Sequence, residues 1–337
     1  MAKAKKTLAL TISLISLAIT TWGRRLIIPE SPPCDFPAIY NFGDSNSDTG
    51  AISAAFWPTP PPYGLSYFGK PAGRNSDGRL IIDFIAEHLG LPYLSPYLDS
   101  IGMNFKHGAN FATAGSTIRM QNETIFENGL SPFSLDVQTV QHYQFKIRTS
   151  ELYNQGDDPI RAQNPADKNK LPIPQEFSKA LYTFDIGQND ISSGFRKLTV
   201  PQLRDSIPDI INRFSASVTL KDRIGSLRAE LPHAAITYVN IYSAKYRLIK
   251  NASLYGFNDP FKICCGHHEN NVHVWCGQRV TINGTDLIGD SCGSPESCIS
   301  WDGVHYSQAA NQWIANQILN GSFSEPPIPI SRACLKH

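Results

Sequence analysis

Four short apolar, β-prone runs are spaced along the chain, with helical patterns between them. The runs are "AIYNF" (38–42), "ANFATA" (109–114), "ALYTFDI" (180–186) and "AAITYVNIY" (234–242). Such near-continuous runs suit strands covered on both faces. Between the last two, Leu203, Ile207, Ile210, Ile211 and Phe214 share one helical face, and Leu220, Ile224, Leu227 and Leu231 share another. "LIIDFIAEHLG" reads as a helix ending at Gly90. A last helix starts at Ser307 as N-cap and buries Ala310, Trp313, Ile314 and Ile318. "WPTPPPYG" (57–64) is a rigid loop, and the polar, Pro-rich stretch Asn154 to Gln175 is a long exposed one. Strands alternating with helices predict an α/β fold with a mainly parallel sheet. Ligand sites in such sheets lie beyond the carboxyl ends of the strands.

At 337 residues the chain is long for one average domain, but α/β enzymes of this size are often single. Its 41% hydrophobic content supports a sizeable core, and a net charge of +1 gives no field that would select nucleic acid. Lys3, Lys5 and Lys6 precede "TLALTISLISLAIT", a stretch too short for a comfortable membrane span. Residues 1–23 are therefore expected to be a signal peptide, whose loss would take the charge from +1 to −2. The expected destination is extracellular or cell wall. Four glycosylation triplets, at Asn122, Asn251, Asn283 and Asn320, fit that route. Seven cysteines, five of them between Cys264 and Cys298, predict local disulfides plus one unpaired thiol.

Ser45 follows the first strand by two residues, across a Gly43 that permits a tight turn. By itself it also fits a turn or N-cap serine. Asp302 and His305, three residues apart just before the last helix, change that balance. The spacing lets the carboxylate hold one imidazole nitrogen while the other faces a cleft, as a general base requires. The strand in "GANFATAGS" ends at Gly115 and that in "FDIGQND" at Gly187 with Asn189 just beyond, so both candidates sit at strand ends. A glycine N–H and an Asn amide are suitable oxyanion donors, although strand-end turns favour the same residue types.

"FGDSNSDTG", "GANFATAGS", "IGQND" and "DGVH" occur in this order, with "GRNSDGRLIIDFIAEHLGLPYLSPYL" and "SWDGVHYSQAANQWIA" around them. Together they resemble the plant GDSL esterase/lipase family of the SGNH hydrolase superfamily, in its early-nodulin-like or fucosidase-like subgroup. The resemblance runs from about Asp35 to Cys334, as one domain over 35–334. It implies a flavodoxin-like three-layer α/β/α fold. It implies Ser45 as nucleophile, His305 as base and Asp302 as its orienting partner. The oxyanion hole would be the Ser45 and Gly115 amides and the Asn189 side chain. The substrate would be a small-molecule or polysaccharide-linked ester, with no cofactor and no metal.

Other readings remain open. "CCGHHENNVHVWC" (264–276) carries zinc-ligand residue types but no C-x2-C or H-x3-H spacing, and the resemblance implies a disulfide-bearing loop there. A glycosidase would need two carboxylates across a cleft, and no such pair stands out. A binding protein that keeps the fold without turnover would carry the same blocks. One departure from the resembled pattern matters. Relatives usually carry a strand and a Gly-Pro-x-Gly-Cys-type turn after the segment ending near Phe214, and neither is found here. The sheet is therefore expected to lack one strand beside the one leading to Asn189.

Overall fold

Side chains along Ile39–Gly43 alternate between two cores, because successive strand residues point to opposite faces of a sheet. Ile39 joins a cluster with Leu80, Phe84, Leu248 and Ile314. Tyr40 and Phe42 join a second with Phe111, Leu135, Phe145 and Phe214. The structure is a computed structural model that describes residues 33–122, 129–154, 168–218, 235–269, 272–282 and 284–335. Residues Asp35–His337 form one unit.

The helices are α1 (Ala51–Ala55), α2 (Leu65–Phe68), α3 (Ile81–His88), α4 (Leu135–Asn154), α5 (Gln188–Lys197), α6 (Val200–Val218), α7 (Ile241–Lys250) and α8 (Gln308–Leu319). The strands are β1 (Ile39–Gly43), β2 (Gly108–Asn110), β3 (Leu181–Asp185), β4 (Tyr238–Val239), β5 (His267–Glu269), β6 (Val272–Val274), β7 (Arg279–Ile282), β8 (Thr285–Ile288) and β9 (Ser324–Glu325). β1 pairs in parallel with β2 on one side and β3 on the other, in the order β2-β1-β3. Helices α3, α7 and α8 pack on the Ile39 face, and α4 and α6 on the Tyr40 face. This is the α/β arrangement expected from the sequence. The last helix begins as predicted: the Ser307 hydroxyl accepts the Ala310 N–H at 3.2 Å. A cap of this kind contributes about 1 kcal/mol.

Two elements depart from the sequence expectations, and a third carried none. β2 stops at Asn110, because that side chain takes the Ala112 N–H at 3.0 Å. The Phe111 and Thr113 N–H groups still donate to Asn41 and Gly43, so the chain keeps running beside β1. The 234–242 run supplies only the two residues of β4, antiparallel to β9 rather than beside β3. Asn240 ends it by capping α7, its side chain accepting the Ser243 N–H at 3.0 Å. Ile241 and Tyr242 are therefore helical, and no described strand pairs with the outer edge of β3. Finally, α4 shows no clear apolar stripe because its buried residues include Gln138 and Thr149. Half-buried His142 on the same helix lies against Tyr40, Phe42 and Phe111, where burial pushes its pKa down to about 4.

The expected helix over 219–231 lies outside the described residues, as does most of the 154–175 loop. In the cysteine-rich region, Cys264 lies 2.07 Å from Cys292 and Cys265 1.96 Å from Cys276, sulfur to sulfur, and Cys298 is a buried thiol. The sulfurs of Cys264, Cys292 and Cys298 come within 4.8 Å of one another. Two of these three are joined to each other, so they do not offer a set of thiolates to a metal.

Candidate active site

The turn after β1 is held by backbone hydrogen bonds and by its own acidic side chains. The Asp44 N–H donates to the Asp185 carbonyl at 3.3 Å, and the Asp44 carbonyl accepts from Ser47 and Asp48 at 3.1 and 3.0 Å. The Asp44 carboxylate accepts the Asn46 N–H at 3.0 Å. Asp48 is fully buried and accepts four backbone N–H groups, those of Gly50, Ala51, Ile52 and Ala114. Three of them are the orphan donors at the start of α1, which needs such a partner. The fourth ties the Ser45 turn to the segment leading to Gly115. Burial raises the Asp48 pKa, and the four donors oppose that rise.

Two amides complete the frame. Gln138, from α4, grips the Gly43 peptide from both sides: its Oε1 accepts the Gly43 N–H at 2.9 Å, and its Nε2 donates to the Gly43 carbonyl at 2.8 Å. Asn46 donates to Gln188 Oε1 at 2.9 Å, joining the turn to the start of α5.

Gly115 has φ of 78°, and a Cβ there would meet the Gly129 carbonyl oxygen at 2.5 Å. Only glycine suits both the left-handed backbone and that space. Asn189 Nδ2 donates to the Ser116 carbonyl at 2.9 Å, which sets the amide beside Gly115 and leaves its second N–H available. Asp190 anchors the same corner by accepting the Ile118 and Arg119 N–H groups at 2.8 and 3.2 Å. Among the described residues, the Ser45 and Gly115 N–H groups donate to no other protein atom.

The Asp-x-x-His stretch folds as its spacing implies. His305 Nδ1 lies 2.7 Å from Asp302 Oδ2. Asp302 Oδ1 accepts the Val304 and His305 N–H groups at 3.0 and 2.8 Å. Side-chain exposure is 15% for His305 and 6% for Asp302, so little water competes for the pair. Burial would push the imidazole pKa down, but Asp302, with a smaller contribution from Asp44, holds it above the usual histidine value. Burial likewise raises the Asp302 pKa, and the opposing charge and hydrogen bonds of His305 hold it well below the carboxylate range. Asp44 titrates above that range, because it is buried beside Asp185. Lys245, on α7, faces Asp185, Tyr306 and Asp44 and is held above its usual value despite burial.

The structure thus joins Asp302 to His305, and Asn189 to the Gly115 corner. Asp44, next to Ser45 in the chain, is among the groups that favour the His305 proton. No hydrogen bond joins Ser45 to His305 among the described residues; such contacts often close only with substrate bound. The sequence reading missed Gln138, Asp48, Asp190 and Tyr63, whose hydroxyl donates to Asp302 at 2.7 Å. The two aspartates do lie inside the quoted blocks, which was the available signal. Gln138 and Tyr63 carried none.

Residues 39–318 match the family described as GDSL-like Lipase/Acylhydrolase. The chain is similar to a GDSL esterase/lipase of Arabidopsis thaliana, 49% identical over 364 residues and covering 92% of each chain. It is similar to the GDSL esterase/lipase ENOD8 of Medicago truncatula, 40% identical over 393 residues and 99% of each. It is also similar to Alpha-L-fucosidase 3 of Arabidopsis thaliana, 42% identical over 360 residues, covering 89% of this chain and 92% of that one. Each match is longer than the 337 residues of the whole chain. These relatives therefore carry residues with no counterpart here.

Proposed function

The chain belongs to the GDSL-like lipase/acylhydrolase family, and from that premise we propose that it hydrolyses carboxylic esters through an acyl-enzyme on Ser45. The observation that carries this reading is the 2.7 Å contact between His305 and Asp302, which holds the imidazole as a general base requires. Neutral His305 takes the Ser45 hydroxyl proton as the oxygen attacks the ester carbonyl. Asp302 holds the tautomer and stabilises the imidazolium that forms. The Ser45 and Gly115 N–H groups and the free N–H of Asn189 receive the oxyanion. The imidazolium then protonates the leaving alcohol, and water attacks the acyl group by the same route in reverse.

A serine-directed phosphonate tests the site: the reading expects one adduct, on Ser45, and fails if labelling is absent or elsewhere. The pH profile is a second check. The base works as neutral imidazole, so activity falls as pH drops through the His305 pKa. Asp302 and Asp44 place that limb above the ordinary ~6.5 of histidine. A limb that persists at the same pH in a residually active chain lacking His305 would assign it to another group.

A relative named for fucosidase activity brings in a glycosidase reading, tested by a fucoside substrate. That chemistry needs two carboxylates flanking an open cleft. Asp44 is buried and Asp302 is committed to His305, so the ester reading is preferred. The ester itself would be a small molecule or a group carried on a polysaccharide.

The same reading extends to secretion. The protein leaving the cell should lack residues 1 to about 23 and carry N-glycans. Asn122 and Asn320 are exposed and should be occupied, whereas Asn251 is half-buried against α7, donating to the Arg247 carbonyl at 3.0 Å. Asn283 lies outside the described residues. Peptide mapping of the medium decides this, and a cytosolic protein with Met1 intact would contradict it.

A further inference from the structure

We propose that Tyr63 positions the Asp302–His305 pair and restrains the basicity of His305, a role that rests on the hydrolytic reading of this site. The Tyr63 hydroxyl donates to Asp302 Oδ2 at 2.7 Å, the same oxygen that faces His305 Nδ1 at 2.7 Å. With Oδ1 occupied by the Val304 and His305 N–H groups, every lone-pair direction of the carboxylate has a fixed donor. A carboxylate held this way cannot rotate away from the imidazole.

Tyr63 is itself well seated. Its N–H donates to the Pro60 carbonyl at 3.2 Å, and the Gly64 N–H donates to the Ser76 carbonyl at 2.9 Å. Its ring meets the buried Trp301 edge-on, with centroids 6.0 Å apart. Burial, and then the neighbouring Asp302 carboxylate, keep the phenol protonated, so it remains a donor throughout the working range.

The electrostatic consequence follows from sharing one oxygen. A donor on Oδ2 draws off part of the negative charge that would otherwise stabilise the imidazolium. Without it, Asp302 would hold the His305 proton more tightly, and less of the base would be neutral at working pH. The other charges near the imidazole do not do this. Asp44 also favours the proton, while Asp185 and Lys245 act on Asp44, with the Lys245 ammonium 4.9 Å from the Tyr306 ring centroid.

The test is Tyr63→Phe, which keeps the ring against Trp301 and removes only the hydroxyl. The full secreted chain, labelled at histidine, is titrated by NMR, with the His305 signal assigned by its loss in His305→Gln. The His305 pKa should rise by about half a unit or more. In ester hydrolysis the acid limb should move up equally, with kcat lower by on the order of tenfold and KM little changed. Tyr63→Leu gives the same readout if the Phe variant is unstable. An unchanged His305 titration, or a drop in kcat without movement of the limb, overturns the proposal. A shifted titration in a chain with no turnover even as wild type supports it and counts against the hydrolytic reading alone.

Discussion

Ser45→Ala is expected to lower turnover of short acyl esters by on the order of 10⁴-fold or more while leaving the melting temperature nearly unchanged. The catalytic half of this follows from the acyl-enzyme reading, which puts the attacking oxygen on Ser45 rather than on Ser47 of the same turn. The stability half follows from what the side chain touches. Ser45 is 4% exposed, yet its hydroxyl makes no hydrogen bond among the described residues. Its neighbours differ: Asp44, Asn46 and Asp48 each hold the turn together. Removing one oxygen from Ser45 therefore costs the fold little. Ser47→Ala is the matched control, two positions along the same turn and outside the proposed machinery, and should retain activity. Full turnover in a clean Ser45→Ala preparation would sink the nucleophile assignment. Loss of folding in that variant would show that the serine is structural.

The second large effect should come from restoring what the relatives carry. The match to the Arabidopsis esterase/lipase spans 364 positions but uses 92% of these 337 residues, so on the order of fifty positions have no residue here. The sequence expectation puts the missing segment after about Phe214, ahead of the run at 234–242. Among the described residues β3 is paired only with β1, and its Tyr182 is 37% exposed. β4, the next strand in the chain, pairs with β9 instead. A strand of a parallel sheet is normally hydrogen-bonded on both edges and covered on both faces. Grafting a relative's segment between α6 and β4 should pair the open edge. It should raise stability by several kcal/mol, on the order of 5–10 °C in Tm.

Turnover should rise too. Asn189 stands at the start of α5, just beyond β3, and its position depends on where that strand ends. A donor displaced by about 1 Å can cost on the order of 100-fold in rate. Amide exchange along 181–185 should slow in the grafted chain. Equal melting and equal turnover in the two chains would show the segment to be dispensable.

The two predictions draw on different kinds of information. Ser45 past a strand end, the Asp302–His305 contact and the Ser307 cap were legible in the amino-acid sequence. In each, the interacting groups lie within a few residues, so backbone geometry alone brings them together. The alternating strand and helix patterns were legible for the same reason, because burial of one face imposes a period. The run at 234–242 misled because its apolar content suits strand and buried helix equally, and Asn240 decided between them by capping α7.

Tertiary structure alone decided the rest. Gln138 reaches Gly43 across 95 residues, Tyr63 reaches Asp302 across 239, and Asp48 reaches Ala114 across 66. A polar residue destined for such a contact has no periodic signature and looks like surface, so α4 with its buried Gln138 went unread. Strand order is of the same kind. Which strand lies beside β3 depends on what the chain places there, because one strand's residues specify two faces but not the neighbour on either edge.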